Sequence, residues 1–556
     1  MIDVDQIMNN SHRVDIPADL DRILRMPVTP PGGDPKAAAY WTQRLSLGSY
    51  VLRDIQGAAL GTIYVHKGGF FAIGVGHGKT LIALLAGEVA GASKPLILCP
   101  PALVKMMRAE ALIWSERFKF TPPAVESYGI LSHEVGERLL LDMRPDLIIA
   151  DEAHYLRRRG ATRTKRLLSY FHNVNPTAGF VALSGTITAK SLLDYSHILE
   201  LSLRERVPIP TSRYELNGWA ACIDPDGEPT RGDLAALAPL VEWSGQTAKP
   251  SRETIRKAYK MRLVTTPGVV STTTTSCDAS LYLVEHNPKT PAAVTRAIKH
   301  LGETWTLPNG EPIADASFFS RAFRQLSIGF FYRWEWAGQP DPEWLEARRN
   351  RDRLIGRVLR YASRPGRDSP GLVSRWGLAG GGSRALRNAL ELWQAIKDRA
   401  NPQTVPVWID KSRIDYVENF AKTYEEPAIL WYSSRAVGDE LGRRGFTVHG
   451  AGSAPPTGET CAASIHVHGK GQNLQMYGRA FVVEPPASGG RWEQLIGRHH
   501  RAGQLRDEIT IDFFNFGDVM AKARADARYI EDTTDNRQKL NLATFLTPAK
   551  ANNQQS

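Results

Sequence analysis

The sequence predicts an α/β protein built from doubly wound parallel sheets. Between residues 46 and 205, short apolar runs of strand length alternate with stretches long enough for a helix. A glycine-rich turn at 71–80 joins one such strand directly to a helix, and the alternation returns after residue 405. Strands that alternate with helices are typical of parallel sheets covered on both faces. We therefore expect two sheet-based units separated by a less regular region.

Length and composition limit what the chain can be. At 556 residues it is too long for one hydrophobic core, and 42% hydrophobic with 23% charged residues is typical of a globular protein. The 69 lysines and arginines exceed the 58 acidic residues, which gives a net charge of +11. This balance favours a polyanionic partner.

Cysteine usage and hydropathy bear on the compartment. The four cysteines show no C-x-x-C spacing, which argues against a disulfide framework and a zinc site; they are Cys99, Cys222, Cys277 and Cys461. The N-terminal residues lack the basic start and apolar core of a signal peptide, and no run of 18 apolar residues occurs. We expect a soluble, cytoplasmic protein that does not span a membrane.

The segment 71–80, FAIGVGHGKT, is typical of a phosphate-binding loop. Its glycines allow a tight turn whose amides point at an anion; they are Gly74, Gly76 and Gly78. Lys79 can reach the β- and γ-phosphates, and Thr80 can offer its hydroxyl to Mg²⁺. An apolar helix follows, so its N-terminal dipole would face the phosphates. The alternative is an ordinary glycine-rich turn between a strand and a helix.

Gln56 precedes this loop, in a stretch interpreted as the start of a helix. A glutamine amide offers both a donor and an acceptor, which is what recognition of an adenine edge requires. Taken alone, a glutamine at such a position is more typical of an ordinary surface residue. Its interpretation as an adenine contact therefore depends on the neighbouring motifs.

Two later apolar strands end in polar residues that can act on a bound nucleotide. The run at 147–150 places Asp151 and Glu152 at its carboxyl end, where ligands bind in open α/β sheets. Asp151 can hold the Mg²⁺ shell, and Glu152 can orient and deprotonate an attacking water. A helix cap or a solvated turn is the alternative. Ser184 and Thr186 follow the next run, where their hydroxyls could sense the state of the site.

The middle of the chain is less regular and contains a row of arginines. At spacings of four, four, three and four, they would lie within an arc of roughly 80° on a helix, opposite an apolar side. They are Arg349, Arg353, Arg357, Arg360 and Arg364. Such a stripe can neutralise backbone phosphates of nucleic acid. A solvated face paired with acidic residues elsewhere explains the pattern equally well.

The chain beyond residue 405 carries a second group of polar residues. Gln494, Arg498 and Arg501 follow each other at spacings of four and three and therefore share one helical face. Guanidinium groups on a rigid element suit a γ-phosphate and the charge that develops during its transfer. A basic surface helix is the alternative. The nearby histidines lack metal-ligand spacing and are interpreted as polar or core residues; they are His466, His468, His499 and His500.

Together, these segments resemble the motifs of superfamily II helicases, and in particular those of the Swi/Snf-like branch of DNA-dependent ATPases. LRDIQGAAL resembles the Q motif, GVGHGKT motif I, LILCPPALVKMMRAE motif Ia, ADEAH motif II and LSGT motif III. In the second half, ILWYSS is similar to motif IV, GKGQNL to motif V and QLIGRHHRAGQ to motif VI. The last match is the most specific to this branch.

The resemblance implies ATP and Mg²⁺ as cofactors and assigns roles to individual residues. It implies that Gln56 contacts adenine, Lys79 and Thr80 contact phosphate and Mg²⁺, and Asp151 and Glu152 contact metal and water. It implies that Arg498 and Arg501, with Gln494 beside them, complete the site from a second lobe. Coupling roles are implied for Ser184, Thr186, Gly471 and Asn473. The sequence departs from the family pattern at Ile73, Ser184 and Glu484, and none of these changes removes a catalytic group.

The resemblance also implies two RecA-like lobes with a largely helical insertion between them. The expected boundaries are an N-terminal leader at 1–45, lobe 1 at 46–205, the insertion at 206–404, lobe 2 at 405–530 and a flexible C-terminal tail at 531–556. The lean architecture, in which no nuclease, methylase or zinc module is recognised, suggests a bacterial or viral source.

The expected function is that of an ATP-driven motor on nucleic acid, with DNA, and duplex DNA in particular, favoured over RNA. A strand-separating RNA or DNA helicase is an alternative that the DEAH sequence does not exclude. An ATP-switched clamp on nucleic acid is another, although Glu152, Arg498 and Arg501 argue against it. An unrelated phosphate-loop ATPase or kinase would leave the second lobe unexplained.

Overall fold

The computed structural model describes residues 18–547 apart from 35, 189–190, 273–276, 314, 362–369, 425, 452, 454–455 and 470–472. The described residues form a parallel sheet of six strands, a parallel sheet of seven strands and a two-stranded antiparallel sheet. Helices flank both large sheets. The predicted fold class, an α/β protein with two doubly wound parallel-sheet lobes and a largely helical insertion, is therefore confirmed.

The elements of the described residues are as follows. The strands are β1 Gly69–Ala72, β2 Pro95–Cys99, β3 Ala124–Ser127, β4 Leu147–Asp151, β5 Gly179–Leu183, β6 Val269–Ser271, β7 Ser280–His286, β8 Phe330–Glu335, β9 Gln403–Trp408, β10 Ala428–Tyr432, β11 Thr447–His449, β12 Cys461–Ser464, β13 Arg479–Val482, β14 Glu508–Phe514 and β15 Thr544–Leu546. The helices are α1 Ala18–Arg25, α2 Ala37–Leu45, α3 Asp54–His66, α4 Lys79–Ala90, α5 Val104–Ser115, α6 Glu134–Met143, α7 Thr162–Ser169, α8 Leu192–Leu203, α9 Arg213–Ile223, α10 Arg231–Ala236, α11 Ala238–Trp243, α12 Arg252–Val264, α13 Ala292–Thr304, α14 Ala316–Ile328, α15 Pro342–Tyr361, α16 Pro370–Leu378, α17 Arg384–Ile396, α18 Ser412–Lys422, α19 Arg435–Arg443, α20 Ile465–His468, α21 Gly489–His499, α22 Asp518–Thr534 and α23 Lys539–Leu542.

The sheet of lobe 1 has the strand order β3-β2-β4-β5-β1-β6. Successive residues of a strand enter opposite cores, so that Phe70 and Ala72 lie in one core while Phe71 and Ile73 lie in the other. Because both faces are covered, the strands in the middle of the sheet are almost entirely apolar, whereas β3 at its edge contains Glu126 and Ser127. Since β4, β5 and β1 are neighbours, the acidic pair, the Ser184 segment and the glycine-rich loop emerge side by side at one edge of the sheet.

The sheet of lobe 2 has the order β11-β12-β10-β13-β14-β7-β15. Its strands also alternate between two cores, with Trp431 in one and Leu430 in the other. Hydrogen bonds between buried side chains hold β7 beside β14. The carboxylate of Asp512 in β14 is fully buried and accepts hydrogen bonds from His286 of β7 at 2.8 Å and from Tyr424 at 2.9 Å. Strand β7, which precedes all other strands of this sheet in sequence, is thus part of lobe 2.

The predicted leader at 1–45 is wrong for residues 18–45, which are part of lobe 1. Leu20 of α1 and Trp41 of α2 are buried, one in each core of the lobe. The Arg22 side chain donates hydrogen bonds to the carbonyls of Val207 at 3.0 Å and Ile209 at 2.9 Å. The Pro/Gly stretch that suggested a leader is only the connection between two packed helices. Residues 1–17 lie outside the described residues.

The predicted boundaries of the insertion at 206 and 404 also differ from the structure. Strand β6 pairs with β1 and its Val269 is buried in the lobe 1 core, so lobe 1 continues to Ser271. Strand β7 then belongs to lobe 2. The inserted region therefore starts after His286 and holds α13–α17 with the antiparallel pair β8 and β9, whose strands are separated in sequence by α15–α17. The predicted and observed boundaries differ because strands pair with residues far away in the chain. The local sequence of a short strand does not indicate which sheet that strand joins.

The predicted flexible tail at 531–556 is wrong for residues up to 546. Helix α22 extends to Thr534, α23 follows, and β15 pairs with β7 at the edge of the lobe 2 sheet. Helix α22 also packs against both α21 of lobe 2 and α12 of lobe 1, and the Tyr529 hydroxyl donates to Asp224 of lobe 1 at 3.2 Å. The last helices thus connect the two lobes. Residues 548–556 lie outside the described residues.

Two glycines of α3 provide a matched test of how α2 packs on lobe 1. A Cβ at Gly57 would lie 2.2 Å from the Ala38 backbone, whereas a Cβ at Gly61 would lie 3.5 Å from the Ala37 Cβ, an ordinary contact. We expect Gly57→Ala to lower the free energy of unfolding by about 1–3 kcal/mol through overpacking. We expect Gly61→Ala to leave it unchanged or to raise it, because alanine favours the helix. Denaturant unfolding measures both, and equal stability of the two variants would contradict this packing.

Candidate functional site

A cavity of about 380 Å³ lies between the two lobes. It brings together predicted site residues of both lobes; they are Gln56, Gly76, Gly78, Lys79, Thr80, Asp151, Glu152, Asn473, Arg498 and Arg501. The carboxyl edge of the lobe 1 sheet forms one wall, and the end of α21 forms the other. Groups separated by some four hundred residues in sequence thus face one space.

The glycine-rich loop has the backbone that its sequence predicts. Gly76 and Gly78 have φ angles of 91° and 75°, a region that favours glycine. Lys79 begins α4, and its ammonium donates hydrogen bonds to the carbonyls of Ile73 and Gly74, each at 3.0 Å. A glycine-rich loop that leads into a helix N-terminus, with a lysine at the first helical position, is an arrangement that suits an anion.

Gln56 is buried beneath this loop and holds it in place. Its side-chain oxygen accepts from the Arg53 amide at 2.9 Å, and its side-chain nitrogen donates to the Gly78 carbonyl at 3.3 Å. Arg53 itself donates to the Gly76 carbonyl at 2.9 Å. The predicted contact of Gln56 with adenine stays a prediction, and the structure gives this residue a clear role in shaping the loop.

An aromatic wall lies beside Gln56 and was missed by the sequence reasoning. Tyr50 and Trp114 line the cavity with ring centroids 5.9 Å apart, and Phe118 lies behind them. The Arg117 guanidinium lies over the Tyr50 ring at 4.7 Å. These residues come from the segment before α3 and from the region of α5, so no single stretch of sequence contains the wall. The aromatic residue just before the Gln56 segment was the one available signal.

Asp151 and Glu152 occupy the end of β4, as predicted. Burial raises the pKa of Asp151 to about 7, the Glu152 charge adds to the rise, and Lys79 opposes it. Glu152 has a φ of 54°, which residues with a side chain rarely adopt, and such backbone strain is concentrated at functional sites. The Ser184 hydroxyl lies 3.3 Å from a Glu152 carboxylate oxygen and 3.0 Å from His154 Nδ1. Motif III thus contacts the acidic pair directly.

Arg498 and Arg501 approach the acidic pair from lobe 2. Burial lowers the pKa of Arg498 to about 10, Arg501 adds to the fall, and Glu152 opposes it. Arg501 donates to the Asn473 side chain, and burial lowers its pKa as well. Two desolvated cations at one cavity favour a bound anion, because an anion would relieve their mutual repulsion. The side chain of Gln494 does not line the cavity, although its carbonyl accepts from Arg498 at 3.2 Å.

Two glycines of α21 allow lobe 2 to approach lobe 1 closely. A Cβ at Gly497 would lie 2.3 Å from Cγ1 of Val75 in the loop. A Cβ at Gly490 would lie 3.1 Å from Cγ2 of Thr186. Any larger side chain at Gly497 would push the helix, and with it Arg498, away from the loop. The glycine therefore sets the distance between the two halves of the site.

The segment 535–546, here called the strap, forms hydrogen bonds with residues near the same cavity. The Asn536 amide nitrogen donates to the Gly185 carbonyl at 2.6 Å. Its amide oxygen accepts from the Thr272 hydroxyl at 2.8 Å, which in turn accepts from the Gly74 amide at 3.1 Å. Gln538 also lies 3.4 Å from the Gly185 carbonyl. One buried asparagine thus links motif III to the start of the phosphate-binding loop.

The strap also binds α21 through Lys539. The Lys539 amide donates to the Glu493 carboxylate at 2.6 Å, and the Lys539 ammonium donates to the His500 carbonyl. Burial raises the pKa of Glu493, whereas Lys539 and Lys79 oppose the rise. Sequence reasoning missed Asn536, Gln538, Lys539 and Glu493, because their partners are distant and the polar strap has no periodic pattern.

The arginine stripe lies away from this cavity. Arg349, Arg353 and Arg357 are exposed on α15, and Ile355 on the same helix is buried, so the predicted division of the helix is confirmed for these residues. Within the described ranges, no carboxylate forms an ion pair with these three arginines. The side chain of Arg360, the whole of Arg364, and Gly471 of motif V lie outside the described residues.

The three departures from the motif pattern keep a structural role. Ile73 packs in the lobe 1 core, and its carbonyl still accepts from Lys79. Ser184 supplies the hydroxyl beside Glu152. The buried carboxylate of Glu484 accepts from the Ser433 and Ser434 amides at 2.8 and 2.6 Å. None of the departures removes a group from the cavity.

Comparison with known proteins adds no assignment. No family model and no curated protein matches this chain. No helix in the described part of the chain has the length and apolarity needed to cross a membrane. The interpretation of the site therefore depends on its own geometry and chemistry.

Asn536→Ala tests the strap. The change removes the donor to Gly185 and the acceptor for Thr272, and leaving such buried groups unpaired costs about 1–3 kcal/mol. We expect the free energy of unfolding to fall by that amount and limited proteolysis to cut faster within the strap. Asn541→Ala, which loses only a bond to Glu531 in the same region, is the control. Unchanged proteolysis in Asn536→Ala would contradict the role of the strap.

His499 makes acid stability testable. It is fully buried, accepts from the Trp431 indole at 3.1 Å, and burial lowers its pKa to about 4. Between pH 6.5 and about 4 the unfolded chain binds a proton at this residue and the folded chain does not, so stability falls as the pH falls. We expect His499→Gln to reduce the slope of unfolding free energy against pH in this window by up to about 1.4 kcal/mol per pH unit. The exposed His300→Gln is the control, and identical slopes would contradict the expectation.

Proposed function

We propose that this chain is an ATP-dependent motor on nucleic acid, with duplex DNA as its substrate. The observation that carries the proposal is one cavity lined by the loop lysine Lys79, the acidic pair Asp151 and Glu152, and the arginines Arg498 and Arg501. These are the groups that phosphoryl transfer to water requires, and they are divided between two lobes. The resemblance of the motifs to Swi/Snf-like ATPases supports the same function.

The residues of the cavity have distinct roles in ATP hydrolysis. Lys79 would leave the carbonyls of Ile73 and Gly74 and bind the β- and γ-phosphates. Glu152, oriented by the Ser184 hydroxyl, would position a water and accept its proton. Arg498 and Arg501 would stabilise the charge that develops on the γ-phosphate.

The residues present fit a magnesium ion. Thr80 and Asp151 line the same cavity as Lys79, and Mg²⁺ in nucleotide sites uses one or two protein ligands together with phosphate oxygens. Burial and the neighbouring Glu152 charge raise the pKa of Asp151, and a bound cation would oppose both effects. Held by Thr80 and Asp151, Mg²⁺ would supply positive charge that offsets the charge of the phosphates.

Motor action would follow from the division of the site. A γ-phosphate bound by Lys79, by Arg498 of α21 and by Arg501 just beyond that helix would hold the lobes together, and its release would remove that connection. The contact of Gly497 with Val75 transmits this change over a short distance, because the helix touches the loop itself. The strap is hydrogen-bonded to Gly185 of lobe 1 and to α21 of lobe 2, so a movement of one lobe would be passed to the other.

The nucleic-acid part of the proposal is supported by charge. The net charge is +11, and the exposed arginines of α15 lack carboxylate partners among the described residues. Contacts between arginines and backbone phosphates give binding that tolerates sequence and weakens with salt. We therefore propose that the protein binds DNA mainly through contacts with the phosphates of the DNA backbone.

Lys79→Ala is the decisive variant. We expect it to lower the rate of ATP hydrolysis on the order of 10²–10³-fold, because the γ-phosphate loses its main cation. The far-UV circular dichroism spectrum and melting temperature should stay close to those of the wild type. Lys94→Ala, at an exposed position on lobe 1, is the control. Undiminished hydrolysis in Lys79→Ala would refute the assignment.

The choice of nucleic acid is tested by stimulation of hydrolysis. Duplex DNA, single-stranded DNA and RNA of equal length are compared, and duplex DNA is expected to stimulate most. Displacement of a triplex-forming strand reports movement along the duplex. Unwinding of a forked duplex would favour a strand-separating helicase, and ATP binding without stimulated phosphate release would favour an ATP-switched clamp.

A further inference from the structure

A second cavity, of about 150 Å³, lies in the inserted region. We call it the tryptophan cleft; the residues that matter for its chemistry are Glu311, Trp334, Trp336, Arg348, Arg349 and Asp352. It lies between the end of β8, the loop after it, and the first turns of α15. It shares no residue with the cavity between the lobes.

The aromatic part of the cleft is built on one buried side chain. Trp344 is buried and donates its indole N–H to the Lys397 carbonyl at 3.0 Å. Trp334 and Trp336 meet it almost at right angles, with ring centroids 5.4 and 5.5 Å away, and both remain half-exposed. The cleft thus presents two indole rings that a fixed third ring holds in place.

The charges of the cleft are only partly satisfied. Arg348 lies over the Trp334 ring at 4.0 Å and forms an ion pair with Asp352 at 3.7 Å, and Arg351 also pairs with Asp352. Among the described residues, Arg349 forms no ion pair with a carboxylate, and no donor reaches the Glu311 carboxylate within hydrogen-bond distance. Burial raises the pKa of Glu311, and the nearby charges of Arg348 and Arg349 oppose the rise without bonding to the carboxylate.

We propose that the tryptophan cleft binds an unpaired nucleobase of single-stranded nucleic acid. The base stacks on Trp336, an interaction that every base can make. Its amino group donates to Glu311, as exocyclic amines of bases do to carboxylates. Its phosphate lies against Arg349. The cleft offers an indole face, a hydrogen-bond acceptor and a cation. One nucleotide supplies a partner for each of them: a base ring, an amino group and a phosphate.

The surroundings of the cleft favour a nucleic acid over a basic peptide. Arg349 belongs both to the cleft and to the exposed stripe, and Arg353 and Arg357 follow at about 6 Å intervals along the helix axis. A strand whose base occupies the cleft can therefore continue along the stripe. A cationic peptide would meet Arg348 and Arg349 at the same place. The inference goes beyond duplex binding, since it gives the motor a site for the junction of duplex and single strand.

The test is binding of fluorescent 12-nucleotide single strands without ATP, measured by anisotropy. We expect Trp336→Ala to weaken binding about 10-fold, and the affinity for a 12-base-pair duplex to stay unchanged. Tyr214→Ala, an exposed aromatic residue of lobe 1, is the control. Equal weakening for duplex and single strand, or no weakening, would overturn the proposal. Stronger competition for the cleft by a lysine-rich peptide than by the oligonucleotide would make it a protein site and would also overturn it.

Glu311→Gln tests the cleft without removing a packed ring. We expect the wild type to bind oligo-dC more tightly than oligo-dT, because cytosine offers an amino group to the carboxylate. The preference should fall in Glu311→Gln, and its persistence would overturn the role of Glu311 as base acceptor. All measurements are repeated in Lys79→Ala. Retained single-strand binding in that variant separates the cleft from the proposed ATPase, so either assignment can fail without the other.

Discussion

The close contact between helix Gly489–His499 and the glycine-rich loop determines the rest of the structure. Because Gly497 has no side chain, the helix lies directly against Val75, and Arg498 reaches the space in front of Glu152. A protein interior cannot absorb an added methyl group at such a contact without displacement. The distance between the loop and Arg498, and with it the shape of the cavity, therefore depends on this glycine contact, while the helix Asp518–Thr534 and the strap also connect the lobes.

The candidate site is composed of charges that burial disfavours. Burial raises the pKa of Asp151 and lowers the pKa values of Arg498 and Arg501. In each case the shift disfavours the charged form of the side chain. Desolvated groups of this kind interact strongly with a ligand that brings the missing charge. The proposed ligand, a magnesium nucleotide, carries both signs and would therefore satisfy groups from two lobes at once. The buried Glu493–Lys539 contact extends the same network into the strap.

The strap and the tryptophan cleft lie outside the segments that resemble helicase motifs. Asn536 joins motif III to the phosphate-binding loop although it lies beyond every motif in the sequence. The cleft sits in the inserted region, at the start of the helix that carries the arginine stripe. Under the proposed function, segments outside the motif-like stretches would supply coupling and substrate contacts of their own.

The sequence by itself determined the local features: the loop at 71–80, the acidic pair at the end of a strand, and the helix that carries Gln494 and Arg498. These follow from backbone conformation and periodicity, which depend on neighbouring residues. The prediction that Arg501 shares that helical face is wrong, because the helix ends at His499 and Arg501 lies beyond it. Only the tertiary structure decided that β7 and β15 join the second sheet, that residues 18–45 and 531–546 are packed, and that Asn536 contacts Gly185. Strand pairing and buried polar contacts connect residues far apart in the chain, and no short stretch of sequence specifies which distant partner a group will meet.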